Sequence, residues 1–243
     1  MSSAPDPTSR LLGHQRLVVG LGAASVAALA WLFVLDGAGV AEPMTMATAP
    51  PFAALLLMWW VMMAAMMLPA ATPAILLYAR VRQMRGGDGN VAQTSIFLAG
   101  YAAVWLLFSL VAARLQQLVT GASMALDHPA AEAGVLVAAG LYQLSPLKLA
   151  CLRQCRAPAQ FISKHWRPGT FGAVRLGVLH GAYCVGCCWM LMALLFVGGV
   201  MNLLWIVALT ALVTVEKLAP HGRWIGRSAG VALIAWGAAL LLL

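Results

Sequence analysis

The chain alternates between long apolar stretches and short polar ones. Seven apolar segments stand out, at about residues 17–35, 53–79, 92–119, 131–147, 171–197, 201–217 and 226–243. Each lies near the roughly 20 residues that a helix needs to cross about 30 Å of hydrocarbon, allowing for tilt. The fourth and sixth are the shortest. All are too uniformly apolar for the in–out alternation of a membrane barrel. A helix, moreover, satisfies its own backbone in lipid. The pattern predicts an all-α fold: a polytopic transmembrane helix bundle of about seven helices. Residues 1–16 are expected to form a cytoplasmic N-terminal tail, and 17–243 a single transmembrane helical domain. The first segment has the basic start and small-residue run (GAGVAE, 37–42) of a secretory signal. Its apolar stretch exceeds the usual 7–15 residues, so a retained anchor is expected.

Composition supports this reading. Of 243 residues, 63% are hydrophobic and only 9% charged. A soluble domain carries about a quarter charged residues, so a water-facing surface is excluded. The net charge of +8 is explained by topology. Arg10 and Arg16 precede the first segment, and Arg80, Arg82 and Arg85 follow the second. Lys148, Arg153, Arg156, Lys164, Arg167 and Arg175 follow the fourth, and Lys217, Arg223 and Arg227 separate the last two. Seven crossings put all of these on one side and leave Asp36, Glu42, Asp127 and Glu132 on the other. Arg114 is left to snorkel from the far end of the third segment. Positive loops favour the cytoplasm, so the N-terminus is expected inside and the C-terminus outside. The bilayer is then the partner that the charge reports, and nucleic acid is not.

Candidate chemistry begins with HGAYCVGCC, residues 180–188. On a helix, His180, Cys184, Cys187 and Cys188 fall within an arc of about 100°. Trp189 points the other way, towards lipid. Gly177 and Gly181 form a small-xxx-small pair that lets another helix approach closely, so the cysteine face is expected to look into the bundle. Cysteine also packs as a small hydrophobe, but four such residues on one face, with an ionisable group inside the membrane, point to a site.

The second segment contains MWWVMMAAMMLPAATP, residues 58–73. Met58, Met62 and Met66 share a face with Pro69 and Pro73. Each proline removes a backbone donor, so this face too is expected to look inward. Met62 and Met66 match the cysteines in depth. Thioether, thiolate and imidazole are soft donors that suit Cu(I) best, with Zn as the alternative. Methionine is also an unbranched core filler. A closed zinc site wants four ligands, so at least one is expected from a second helix, with Cys188 at the edge of the arc.

Three weaker features remain. Cys151 and Cys155 lie four apart among Lys148, Arg153 and Arg156, and positive neighbours favour thiolate. They form a possible cytoplasmic thiol pair, for metal hand-off or redox. Glu216 is placed either to orient His180 from behind the ligands or to reach water. Met44 and Met46, in EPMTMATAP, are a weak outer capture site.

Together, MWWVMMAAMMLP, YQLSPLKLACLRQC and HGAYCVGCCWMLM resemble the bacterial membrane proteins called domain of unknown function 2182. The resemblance runs from about Phe52 to the end. It implies a metal-binding integral membrane protein of the bacterial inner membrane, and supplies no reaction and no ligand set.

Three functions follow. The first is handling of a soft metal such as copper, by transport, chaperoning or metallo-assembly, with a metallochaperone or membrane-protein partner. No GxxxxGK phosphate loop is present to supply ATP drive. The second is a thiol–disulfide oxidoreductase built on the Cys184–Cys187 CxxC. The third is a scaffold subunit without a site. No catalytic residue is assigned.

Overall fold

The structure, a computed structural model, describes residues 7–36, 51–85, 90–119, 125–126 and 128–242. Ten helices make up almost all of them. They are α1 (Pro7–Leu35), α2 (Phe52–Met84), α3 (Asn90–Val119), α4 (Pro129–Leu144), α5 (Pro146–Arg156), α6 (Pro158–His165), α7 (Gly169–Ala193), α8 (Leu195–Gly198), α9 (Leu203–Leu218) and α10 (Gly222–Leu242). No strand occurs among the described residues.

All seven apolar segments are helical, but they are not equal. Five helices are long and apolar enough to cross a membrane: Val18–Leu35, Phe52–Met84, Val91–Val119, Gly169–Gly198 and Gly222–Leu242. The fourth and sixth segments form α4 and α9, of 16 residues each. At 1.5 Å per residue these reach about 24 Å, short of a full crossing. The α4–α5 pair passes the same test only as one span bent by 62°. The expected tail is also revised, because α1 begins at Pro7 and continues the first span through much of 1–16.

The bend has a local cause. Ser145 ends α4 in extended conformation, and its hydroxyl accepts the amide of Lys148 at 3.1 Å. Pro146 then opens α5. A serine N-cap followed by proline at the first helical position restarts a helix in a new direction. The basic stretch after the fourth segment, expected as a loop, therefore folds largely as α5 and α6. The first of these turns back against α7.

Small residues set the helix contacts, as expected where lipid removes the hydrophobic drive to associate. The closest pairs are α4 with α10 and α3 with α7. A Cβ on Gly177 would lie 2.0 Å from the Phe97 carbonyl oxygen, and one on Gly100 2.6 Å from that of Val174. So α3 and α7 approach backbone to backbone, and the Gly177/Gly181 expectation holds with α3 as the partner.

Helix α2 lies between α1 and α3 and also touches α6 and α9. Met58, Trp59, Met62, Met63, Met66 and Met67 are all at most 1% exposed. These residues cover a wide inner arc of the helix, while Leu57 and Trp60 on the other side are exposed. The prolines do not mark its inner face: α2 runs unbroken through both, Pro69 is half-buried and Pro73 is exposed. Between the two prolines, Thr72 donates its hydroxyl to the Leu68 carbonyl at 2.8 Å.

Candidate metal centre

Helix α7 turns its chemistry inward. Cys184, Cys187 and Cys188 are 1% exposed and His180 3%, whereas Trp189 is 41% exposed. The Cys187 and Cys188 thiols donate to the Cys184 carbonyl oxygen at 3.1 and 2.9 Å. These bonds hold both sulfurs on the inner side of the helix. Close packing on α3 brings Tyr101 to the same place, with its hydroxyl 3.2 Å from Cys184 Sγ.

Three other helices contribute. From α2, Met67 Sδ lies 3.7 Å from Cys188 Sγ. From α5, Cys155 Sγ lies 3.9 Å from Cys187 Sγ. From α9, Lys217 donates to Cys184 Sγ at 3.0 Å. Sulfur atoms from α2, α5 and α7 thus meet in one buried pocket. Two sulfurs sharing a cation at about 2.3 Å stand about 4 Å apart, close to both sulfur–sulfur distances. Among the described residues, no three His, Cys, Asp or Glu side chains converge on a single point. The arrangement is a set of sulfur pairs that would have to draw together around a metal.

Lys217 was counted among the cytoplasmic loop charges, yet it is only 6% exposed. The one ion pair among the described residues is Lys148–Glu216, so Lys217 is held by sulfur and not by a carboxylate. The pocket thus contains a lysine side chain turned onto a cysteine sulfur.

Lys148 is buried as well, at 1% exposed. Its ammonium donates to Glu216 at 2.5 Å and to the Gln143 side-chain oxygen. The Gln143 amide donates to the other Glu216 oxygen at 2.6 Å. Arg156 donates to the backbone oxygens of Glu216 and Pro220. This network ties α4 and α5 to the end of α9. It corrects two expectations. Glu216 neither orients His180 nor reaches water. Lys148 and Arg156 are committed to α9 and do not flank the thiols of Cys151 and Cys155.

The cytoplasmic thiol pair also divides. Cys155 joins the pocket, while Cys151 packs over Gly186, where an added Cβ would lie 2.8 Å from its sulfur. Met62 and Met66 are buried on α2 as expected, but the methionine that reaches the cysteines is Met67. Since the inner arc of α2 is wide enough to hold all of these methionines, facing in does not single out one of them. His180 sits one turn from Cys184 among aromatic rings, with Nδ1 unpartnered. Met44 and Met46 lie outside the described residues. Lys217 and Met67 were missed in the sequence. The signal for Lys217 was a lysine at i+8 from Leu209 on the inward face of a short apolar helix (Ile206, Leu209, Val213, Glu216 and Lys217 are its buried residues).

Residues 56–240 match the model of the PpoB2 family, described as copper chaperone. All the pocket residues named above fall within that span. No curated protein and no solved structure matches the chain.

Proposed function

The chain belongs to the PpoB2 copper chaperone family, and on that footing we propose that it carries Cu(I) as cargo in the sulfur pocket inside its helix bundle. The ligands in this reading are drawn from Cys184, Cys187 and Cys188 of α7, Cys155 of α5 and Met67 of α2. Thiolate and thioether sulfur are the donors that favour Cu(I), and the thioether makes Zn the poorer fit. The apolar surroundings keep water from competing. Lys217 offsets the charge of the thiolates, because a net charge buried in this medium is costly. Binding expels thiol protons. The protein holds its cargo in the bacterial inner membrane, with the basic loops in the cytoplasm, and passes it to a metallochaperone or membrane-protein partner.

One observation carries this reading: sulfur atoms from three separate helices lie within 3.7–3.9 Å of a neighbour around a buried lysine. The experiment is anaerobic loading of the purified protein with Cu(I) in detergent. Wild type retains stoichiometric copper after a desalting column. The Cys184→Ser/Cys187→Ser double variant, equally helical by circular dichroism, retains almost none. Full copper retention by that variant overturns the proposal.

The thiol–disulfide reading has one observation in its favour, and it points to a different pair from the CxxC. Cys155 and Cys187 lie 3.9 Å apart on separate helices, and their sulfurs need to approach to about 2 Å to form a bond. A reversible Cys155–Cys187 disulfide in a protein that binds no copper would select that reading.

A further inference from the structure

His165 and His180 both pack against one phenylalanine. The His165 ring centroid is 4.9 Å from that of Phe161, and the Phe161 centroid is 5.4 Å from that of His180. His180 continues to Tyr101 at 5.7 Å between centroids, and the Tyr101 hydroxyl touches Cys184 Sγ at 3.2 Å. The two imidazoles thus share the Phe161 ring, and the inner one meets the Cys184 sulfur by way of Tyr101. The outer end is open: His165 is half-buried, in a helix whose Ser163 and Lys164 are exposed, next to exposed Arg167. The inner end is closed, with His180 3% and Phe161 1% exposed.

His180 Nδ1 is a buried polar atom without a partner. Such an atom costs roughly 1–3 kcal/mol and calls for an explanation. Packing does not supply one, since an aromatic or aliphatic side chain would fill the space between Phe97, Tyr101 and Phe161 without that cost. A ligand that visits does.

Resting on the copper reading above, we propose that His165 and His180 are the stations by which Cu(I) passes between the basic face of the protein and the sulfur pocket, with Phe161 as the gate between them. Imidazole binds Cu(I) but is harder than thiolate, so a histidine holds the ion less tightly than the pocket. A donor of this kind suits transfer better than storage. Each step is a ligand exchange: one nitrogen–copper bond breaks as the next nitrogen–copper or sulfur–copper bond forms, the thiol proton leaves for solvent as sulfur takes the ion, and no electron moves. Rotation of the Phe161 ring opens the way, and its return shields the pocket from water and from small thiols.

The test separates rate from affinity. Wild type, His180→Phe, His165→Gln and Phe161→Ala are loaded with Cu(I) from a bis-thiol chelate by stopped flow, and their equilibrium affinities are measured by competition with a chromophoric chelator. His180→Phe preserves the aromatic packing. Its loading rate, and that of His165→Gln, falls at least tenfold, while affinity changes less than threefold. Phe161→Ala exchanges copper faster than wild type in both directions. Unchanged loading rates in both histidine variants overturn the path. So does a loss of affinity in His180→Phe as large as its loss of rate, which makes His180 a ligand of the pocket itself. Should His180→Phe misfold, the surface-side His165→Gln variant decides alone. A wild type that binds no Cu(I) overturns the copper reading and, with it, this path. That result is distinct from copper bound at unchanged rates.

Discussion

Lys217 of α9 places its ammonium 3.0 Å from Cys184 Sγ of α7. This contact joins the two helices at the centre of the pocket. In the copper reading it would balance the site's charge, because a cuprous ion on two thiolates is an anion and low-dielectric surroundings penalise it. Lys217→Leu removes the charge and adds no metal donor. It is expected to weaken Cu(I) binding at least tenfold, about 1.4 kcal/mol, in a chelator competition. An affinity equal to wild type would show that the lysine is only packing.

Met67 is expected to matter where Met62 and Met66 do not. Met67→Leu keeps volume and loses the thioether, so stability changes by less than about 1.5 kcal/mol. Cu(I) affinity falls by roughly tenfold and Zn affinity stays. Met62→Leu and Met66→Leu leave both metals unaffected. Equal losses in all three variants would make the effect one of packing rather than ligation.

The difference between these methionines shows what the sequence could and could not disclose. The inward arc of His180, Cys184, Cys187 and Cys188 was legible because one helix with a fixed period carries all four residues. The Gly177/Gly181 contact was legible for the same reason. Met67 was not, because the buried arc of α2 is wide enough to take Met58, Met62, Met63, Met66 and Met67 alike, and the pattern does not say which of them meets the cysteines. Cys155 was not, because a serine cap and a proline turn an apparent loop into a helix folded back on α7. Lys148 and Lys217 looked like loop charges because each lies near the end of a short helix. Only the fold shows that those ends lie inside the bundle.

Glu216 and Lys148 form an ion pair at 2.5 Å with both side chains 2% exposed. Removing one partner strands the other. Glu216→Gln is expected to cost about 3–5 kcal/mol, whereas the double change Glu216→Leu/Lys148→Leu recovers most of it. Thermal unfolding in detergent measures both. In the single variant α5 loosens, and Cys155 becomes reactive to a maleimide that wild type resists. A double variant no more stable than the single one would mean that the pair does not act as a unit.

Gly177→Ala puts a methyl group 2.0 Å from the Phe97 carbonyl oxygen. Backbone cannot yield as a side-chain tip does, so α3 and α7 must separate, at about 1–3 kcal/mol or more. Gly134→Ala on α4 is the control, since nothing lies within 4 Å of its new methyl. It is expected to be neutral or to stabilise by up to about 1 kcal/mol through helix propensity. Copper retention and melting temperature should fall together in Gly177→Ala, because Tyr101 and Cys184 meet across that contact. A Gly177→Ala protein as stable as wild type would contradict the close approach.

The Lys148–Glu216 pair links positions 68 residues apart, and the ribosome makes them in that order. Every cysteine is in place once residue 188 has been synthesised, but Glu216 and Lys217 come later. Until α9 emerges, Lys148 lacks its Glu216 partner, and α5 is held only by its packing on α7 and its neighbours in the chain. The buried pair and the Lys217–sulfur contact are therefore the last of these connections to form, after every cysteine has been made.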